Sequence, residues 1–343
     1  MNDGPVPMAI AEWWLMLPVA LAAAIISAVV IRLIRPKLLK HALAKPNARS
    51  SHRVPTPQGA GIAVIAATLG IASLALVYIA DAGSNFPAAL FGSALFIAAL
   101  GFADDIKPVP VLPRLLLQAL AVGAIVLASP SDLRITPFVP LWIERGLLVL
   151  AGLWFVNLVN FMDGLDWMTV AEVVPVTAAL ALFGLYGELP LTATIVAVAL
   201  CGAMIGFAPF NRPVAAIFLG DVGSLPIGLL LGWCLLQLAG QHHVAAAMLL
   251  PLYYLADATV TLFRRMMRRE PFWVAHRSHF YQRATDNGFT VMQVVSEVFT
   301  LNLALGALAA FSIKAPTWTA TATLVALGVA AVAATMFRFS RPR

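Results

Sequence analysis

The chain has 343 residues, 61% of them hydrophobic and 11% charged, with a formal net charge of +6. This composition excludes a water-soluble domain, and apolar runs of helix length exclude a β-barrel, whose strands alternate over roughly ten residues. The basic residues are scattered among short loops with no fold around them able to grip a duplex, so nucleic acid is excluded as a partner.

A helix needs about 20 mostly apolar residues to cross the hydrocarbon layer, where backbone groups must pair internally. Such segments fall at 13–34, 60–80, 88–103, 113–129, 146–159, 167–185, 190–209, 224–239, 244–263, 290–311 and 317–337. The expected class is therefore all-α, a polytopic integral membrane protein with about eleven transmembrane helices. Ten is the nearest alternative count, because the fifth segment is short. No soluble domain interrupts the series, so residues 1–343 read as a single domain. Two prolines and some alternation between Ser131 and Trp142 suggest a small hairpin before the fifth span. Asp3 and Glu12 replace the positive start of a signal peptide, so the first segment is expected to remain as a span.

Cytoplasmic loops hold the excess of Lys and Arg. With the amino terminus periplasmic, all of the 22 basic residues except Arg134, Arg145 and Lys314 fall inside, and the carboxyl terminus is cytoplasmic. In a bacterial-type membrane protein this asymmetry corresponds to the inner membrane, with the inner loops in the cytoplasm. Cys201 and Cys234 lie within spans and form neither a disulfide framework nor a metal pattern.

The reactive side chains collect in the inner loops. Charged groups beside the hydrocarbon layer are costly, so carboxylates gathered there mark a metal, proton or substrate site. The first inner loop, with Arg49, His52 and Arg53, stiffens at Pro55 and Pro57 and turns at Gly59 and Gly61. Asp104 and Asp105 end the third segment, just before Lys107. Adjacent residues diverge by about 100° on a helix, so the two serve one site only near a terminus or in different roles. Asn157, Asn160, Asp163 and Asp166 follow at three-residue spacing around Gly164, sharing one helical face or lining a broken turn. Asp221 sits between Gly220 and Gly223 before a span whose positive end faces it, a setting for a phosphate or metal. Asp257, Thr261 and Arg264 share a face inside the ninth segment, with Arg264 the expected partner of Asp257. In the last inner loop His276, Arg277, His279 and Arg283 form a phosphate-gripping group. Two histidines without a third ligand suit zinc poorly.

Taken in order, HRVPTPQGAG, GFADD, NLVNFMDGLD, FLGDVGS and HRSH resemble the signature loops of the polyprenyl-phosphate N-acetylhexosamine-1-phosphate transferases, the MraY- and WecA-like family. The resemblance implies ten or eleven spans, an inner active site, and Mg²⁺ as cofactor, with Mn²⁺ able to replace it. It further implies transfer of a sugar 1-phosphate from a UDP-sugar to undecaprenyl phosphate, with release of UMP. Carried over motif by motif, Asp104, Asp105 and Asp163 are expected catalytic acids, with His276 and His279 beside them. Asp221, Asp163 and Asn160 are the expected metal ligands. Lys107, Arg114, Asn157, Asn160, Asp166, Arg277, Arg283 and Arg53 are the expected substrate contacts. The family's last loop reads His-x-His-His, whereas here it is His276-Arg277-Ser278-His279, which resembles members that initiate O-antigen or related glycans. Undecaprenyl phosphate, the UDP-sugar and membrane lipids are the expected partners, and a homodimer through the spans is compatible with the chain.

Charge arithmetic agrees with this chemistry. Mg²⁺ takes one or two carboxylates plus substrate phosphates, and phosphoryl transfer needs positioning and charge neutralisation. A phosphate monoester with a second pKa near 6 is mostly dianionic at neutral pH, so Asp104 is expected to position metal or nucleophile rather than remove a proton. The alternative reading is a transporter or lipid flippase that couples ions through the same aspartates; it would place them near the midplane in paired repeats.

Overall fold

A computed structural model describes residues 10–44, 55–79, 87–271, 276–315 and 317–343. The expected substrate contact Arg53, with Arg49 and His52, lies outside the described residues. The chain is an all-α polytopic membrane protein, and among the described residues ten helices are long and apolar enough to cross a membrane. They are α1 (Ile10–His41), α2 (Gly61–Ile79), α3 (Ala88–Ile106), α4 (Val111–Ala128), α5 (Leu141–Met162), α6 (Met168–Leu185), α7 (Leu191–Phe207), α8 (Asp221–Gly240), α12 (Val291–Ile313) and α13 (Trp318–Phe339). The predicted ninth segment is divided into α9 (Val244–Leu249) and α10 (Leu252–Met267), separated at Pro251. Proline lacks the N–H that would continue the ladder, so the helix breaks where sequence hydropathy runs on unbroken. A short α11 (Phe280–Asp286) follows in the last loop.

The most intimate helix pair is α1 against α7. A Cβ added at Gly202 or Gly206 would lie 2.1 or 2.2 Å from the Ala20 or Ala24 carbonyl oxygen. Lipid tails are as apolar as leucine, so helix pairing in a bilayer depends on this close backbone approach. Gly202→Leu is expected to destabilise the bundle by about 3 kcal/mol, the upper range for overpacking a core. Thermal unfolding followed by size exclusion would show it, and an unchanged midpoint would contradict the packing. A buried polar contact joins α6 to α12, where Asn302 Nδ2 donates to Glu172 Oε2 at 2.7 Å.

The outward faces are apolar, with Leu17, Leu74, Leu95, Leu120, Leu150 and Leu327 all exposed as lipid contact requires. Trp14, Tyr78, Trp142, Tyr186 and Trp318 are exposed at the helix ends remote from the aspartates, the position aromatic rings take at a membrane interface.

That remote end is organised by acids of its own. The predicted hairpin between Ser131 and Trp142 is a series of turns, because Glu144 supplies what a partner strand would have supplied. Its carboxylate accepts from Ile135 N at 2.6 Å and Thr136 N at 2.8 Å, and pairs with Arg134. Glu188, in the α6–α7 loop, accepts from Lys314 Nζ at 2.7 Å and contacts His243 Nε2 at 3.0 Å, tying three loops together. Desolvation raises its carboxyl pKa, but Lys314 and His243 outweigh that and hold it below the ordinary range. A depressed acid stabilises the fold above its unfolded pKa and loses that contribution as pH falls through the folded value. Glu188→Gln should therefore lower stability modestly at neutral pH, by about 1 kcal/mol or less for so exposed a pair. Its thermal midpoint should converge with that of the unsubstituted protein in acid, below the ordinary glutamate range. Parallel curves across that range would count against the clasp.

Candidate active site

Four chain segments converge at the end of the bundle opposite the aromatic ring. The first is the entry to α2, where a two-residue strand β2 (Thr56–Pro57) pairs with β1 (Leu43–Ala44). Beyond it, Gly59 N and Ala60 N donate to Phe218 O, and Gly61 N donates to Leu219 O. Gln58 Nε2 donates to the Asp105 carbonyl at 3.0 Å. The exit of the first inner loop is thereby stitched to the Asp104–Asp105 and Asp221 motifs.

Asp104 and Asp105 divide their work, as their divergence on α3 demands. Asp105 accepts from Asp221 N and Val222 N, each at 3.0 Å. It thus satisfies the first orphan donors of α8 from a different helix, and its negative charge meets the positive end of the α8 dipole. Asp104 turns the other way. It accepts from Val109 N at 2.6 Å and from Arg114 Nη1 at 2.7 Å. It also lies close enough to the Asp221 carboxyl to share a hydrogen bond. Asp221 Oδ1 accepts from Asn160 Nδ2 at 2.7 Å, and the same amide reaches Ser224 Oγ at 2.8 Å. Ser224 ends the FLGDVGS motif but is not among the expected site residues, although it lies three residues past Asp221 on the same helical face.

Glycines make this convergence sterically feasible. A Cβ on Gly101 would lie 2.3 Å from the Asp221 carbonyl oxygen, and one on Gly61 would lie 2.2 Å from Gly223 Cα. Any larger residue there would push α8 away from α3 or α2.

Asp163 closes α5, and its Oδ1 accepts from the Thr169 hydroxyl. Burial pushes its carboxyl up to about 7, the charges of Asp105 and Asp166 add to the rise, and the Thr169 hydrogen bond opposes it. Asn157 and Asp166, from the same motif, are committed to packing. Asn157 Nδ2, buried, donates to Gln118 Oε1 at 2.7 Å and joins α5 to α4. Asp166 Oδ2 accepts from Ala215 N at 3.0 Å, anchoring the loop that leads into the Asp221 motif. Lys107 is exposed at the end of α3.

Two carboxyl groups as close as Asp104 and Asp221 are stable only with a proton or a cation between them. Among the described residues no three His, Cys, Asp or Glu side chains converge as a metal cage. Two carboxylates with an amide is instead the sparse oxygen-rich set that suits Mg²⁺, which keeps its waters and binds substrate phosphates. The donor set therefore fits the expected ion, with Asp104 standing beside Asp221.

The last loop packs beside this group. Tyr281 Oη donates to Phe161 O at 3.0 Å, and the His276 and His279 rings stack with centroids 4.9 Å apart. Ser278 Oγ lies 2.8 Å from His276 Nδ1. Arg277 and Arg283 line a cavity of about 370 Å³ together with Arg264, Arg265, Arg268, Thr261, Ser278 and Glu270. Arg277 also meets Asp286 at 3.2 Å, and Arg283 lies over the Phe280 ring. The expected Asp257–Arg264 pair does not form. Arg264 lies over Phe280 at 4.8 Å, because α11 fills the space beside Asp257 with donors of its own.

Residues 87–239 match the family profile described as Glycosyl transferase family 4. The matched stretch runs from α3 to α8 and holds every aspartate of the convergent group, while the His276–His279 loop lies beyond it. The chain is similar to a phospho-N-acetylmuramoyl-pentapeptide-transferase of Gluconacetobacter diazotrophicus, 29% identical over 295 residues covering 73% of this chain and 77% of the relative. It is also similar to the protein of the same name from Neisseria meningitidis serogroup C, 34% identical over 180 residues covering 42% of this chain and 50% of the relative.

Proposed function

We propose that the chain transfers an N-acetylhexosamine 1-phosphate from a UDP-sugar to undecaprenyl phosphate in a Mg²⁺-dependent reaction, releasing UMP and starting O-antigen or another cell-envelope glycan. The observation that carries this reading is the meeting of Asp104 and Asp221, from α3 and α8, beside Asn160. The family match over 87–239 and the activity named for both relatives support a transferase of a phosphorylated sugar onto a lipid carrier. The concentration of Lys and Arg at the site end supports a bacterial inner-membrane protein whose site faces the cytoplasm.

In this reading an oxygen of the lipid phosphate attacks the phosphorus attached to the sugar, and the bond from that phosphorus to the bridging oxygen of UMP breaks. Mg²⁺, or Mn²⁺ in its place, held by Asp221, Asp104 and Asn160 with Asp163 at hand, would neutralise charge on the diphosphate. Arg114 and Lys107 hold phosphate oxygens, and Arg114 in turn fixes Asp104. The basic cavity by Arg277 and Arg283 receives the anionic donor. Asp105 keeps α8 in place and does not meet substrate.

Purified protein incubated with undecaprenyl phosphate, Mg²⁺ and a panel of UDP-sugars should release UMP with a UDP-N-acetylhexosamine, and none without the divalent ion. Absence of UMP with every donor would reject the transferase and favour a transporter. The names of the two relatives favour a second donor, UDP-N-acetylmuramoyl-pentapeptide. Release with that donor alone would select it.

A further inference from the structure

Asp257 is fully buried in α10 and gathers five hydrogen-bonding partners. Oδ1 accepts from Thr261 Oγ1 at 3.2 Å and from Phe280 N at 3.0 Å. Oδ2 accepts from Tyr253 Oη at 3.1 Å and from Tyr281 N at 3.1 Å. The fifth is His279 Nδ1, 3.2 Å from Oδ1, on a side chain only 4% exposed. Each carboxylate oxygen already receives a backbone N–H, a donor that cannot reverse its role. A carboxylate receiving donors on both oxygens has only acceptor capacity to offer, so the ring nitrogen facing it must carry the proton.

We propose that Asp257 is a positioning residue for the last loop, fixing His279 as the Nδ1–H tautomer so that Nε2 is the nitrogen that meets the phosphates of a nucleoside diphosphate sugar. This rests on the transferase reading above. The same carboxylate secures the first two N–H groups of α11, so ring orientation and loop position are set by one side chain. When Nε2 takes a proton to donate to a phosphate oxygen, Asp257 balances the imidazolium charge from the opposite edge of the ring. The chain carries Asp257 22 residues before His279, on another helix.

Full-length protein labelled with ¹⁵N-histidine and purified in detergent gives a readout that a purely structural role would not move. The imidazole signals lost in His279→Gln belong to His279, and at alkaline pH they should show a protonated Nδ1 and a bare Nε2. In Asp257→Asn, whose amide can offer either its oxygen or its N–H to the ring, these signals should move toward the other tautomer. A proton on Nε2 in the unsubstituted protein, or identical tautomers in the two forms, would overturn the proposal. Should Asp257→Asn not fold, the tautomer of the unsubstituted protein decides alone.

Turnover supplies an independent arm. Asp257→Asn and His279→Gln should each lower UMP release at least tenfold, and the double variant should fall no further than His279→Gln, because Asp257 works through the ring. A further tenfold loss in the double variant would show that Asp257 only braces α11, and would overturn the proposal. If the unsubstituted protein releases no UMP from any donor, the transferase reading fails while the tautomer measurement still decides the role of Asp257.

Discussion

Asp221→Asn should yield a folded protein that inserts and purifies normally yet loses turnover by about 1,000-fold, the scale on which removing one electrostatic contact of a transition state acts. Folding should survive because asparagine keeps the shape of the residue at the first position of α8. The donors of that helix are satisfied by Asp105, which the substitution leaves alone. Asn160 also keeps an oxygen to donate to. What disappears is one of the two opposed carboxyl groups, and with it the charge that would draw the divalent ion of the proposed reaction. UMP release, with size exclusion as the folding control, measures the effect. Turnover within tenfold of the unsubstituted protein would remove Asp221 from the chemistry.

The second large effect comes from a position that carries no chemistry. Gly101→Val should reduce turnover by about 100-fold, with most of the loss in kcat. The new Cβ would fall 2.3 Å from the Asp221 carbonyl oxygen and 2.4 Å from its carbon, so the start of α8 must move by about an ångström to relieve the contact. Misplacement on that scale costs about 100-fold when reaction depends on alignment. Gly101→Ala introduces the same first clash with less bulk and should fall between. A full-activity alanine variant would mean that α3 and α8 can separate without disturbing Asp104 and Asp221.

Sequence alone placed the helices well because hydropathy is summed over some 20 residues and is insensitive to what a helix touches. All eleven apolar segments became helical, and only the ninth departed, where Pro251 breaks a run whose average hydropathy conceals the break. The aspartates could be found because charge next to hydrocarbon is costly wherever the partner lies. Their division of labour could not. That Asp105 serves α8 while Asp104 faces Asp221 depends on two helices separated by more than a hundred residues, and local spacing holds no trace of it. Asp257 shows the same limit. Helical periodicity offered Thr261, which does reach it, and Arg264, which does not, whereas His279 and the two backbone donors came from the last loop and the start of α11. Asn157 and Asn160 are indistinguishable by pattern, yet one turn of helix separates a buried contact with Gln118 from a contact with Asp221.

The abutment of Gly61 on Gly223 and of Gly101 on Asp221 bears on how this protein tolerates change. Three backbones meet there with no side chain between them to yield, so strain introduced at any one is passed whole to the others. A mutational survey confined to acids, bases and nucleophiles would pass over these positions, although they are the ones at which a single methyl group displaces the reactive carboxylates. In the proposed reaction, variation in donor preference would be easier to accommodate in the arginine-rich last loop, whose long side chains can readjust without moving a helix.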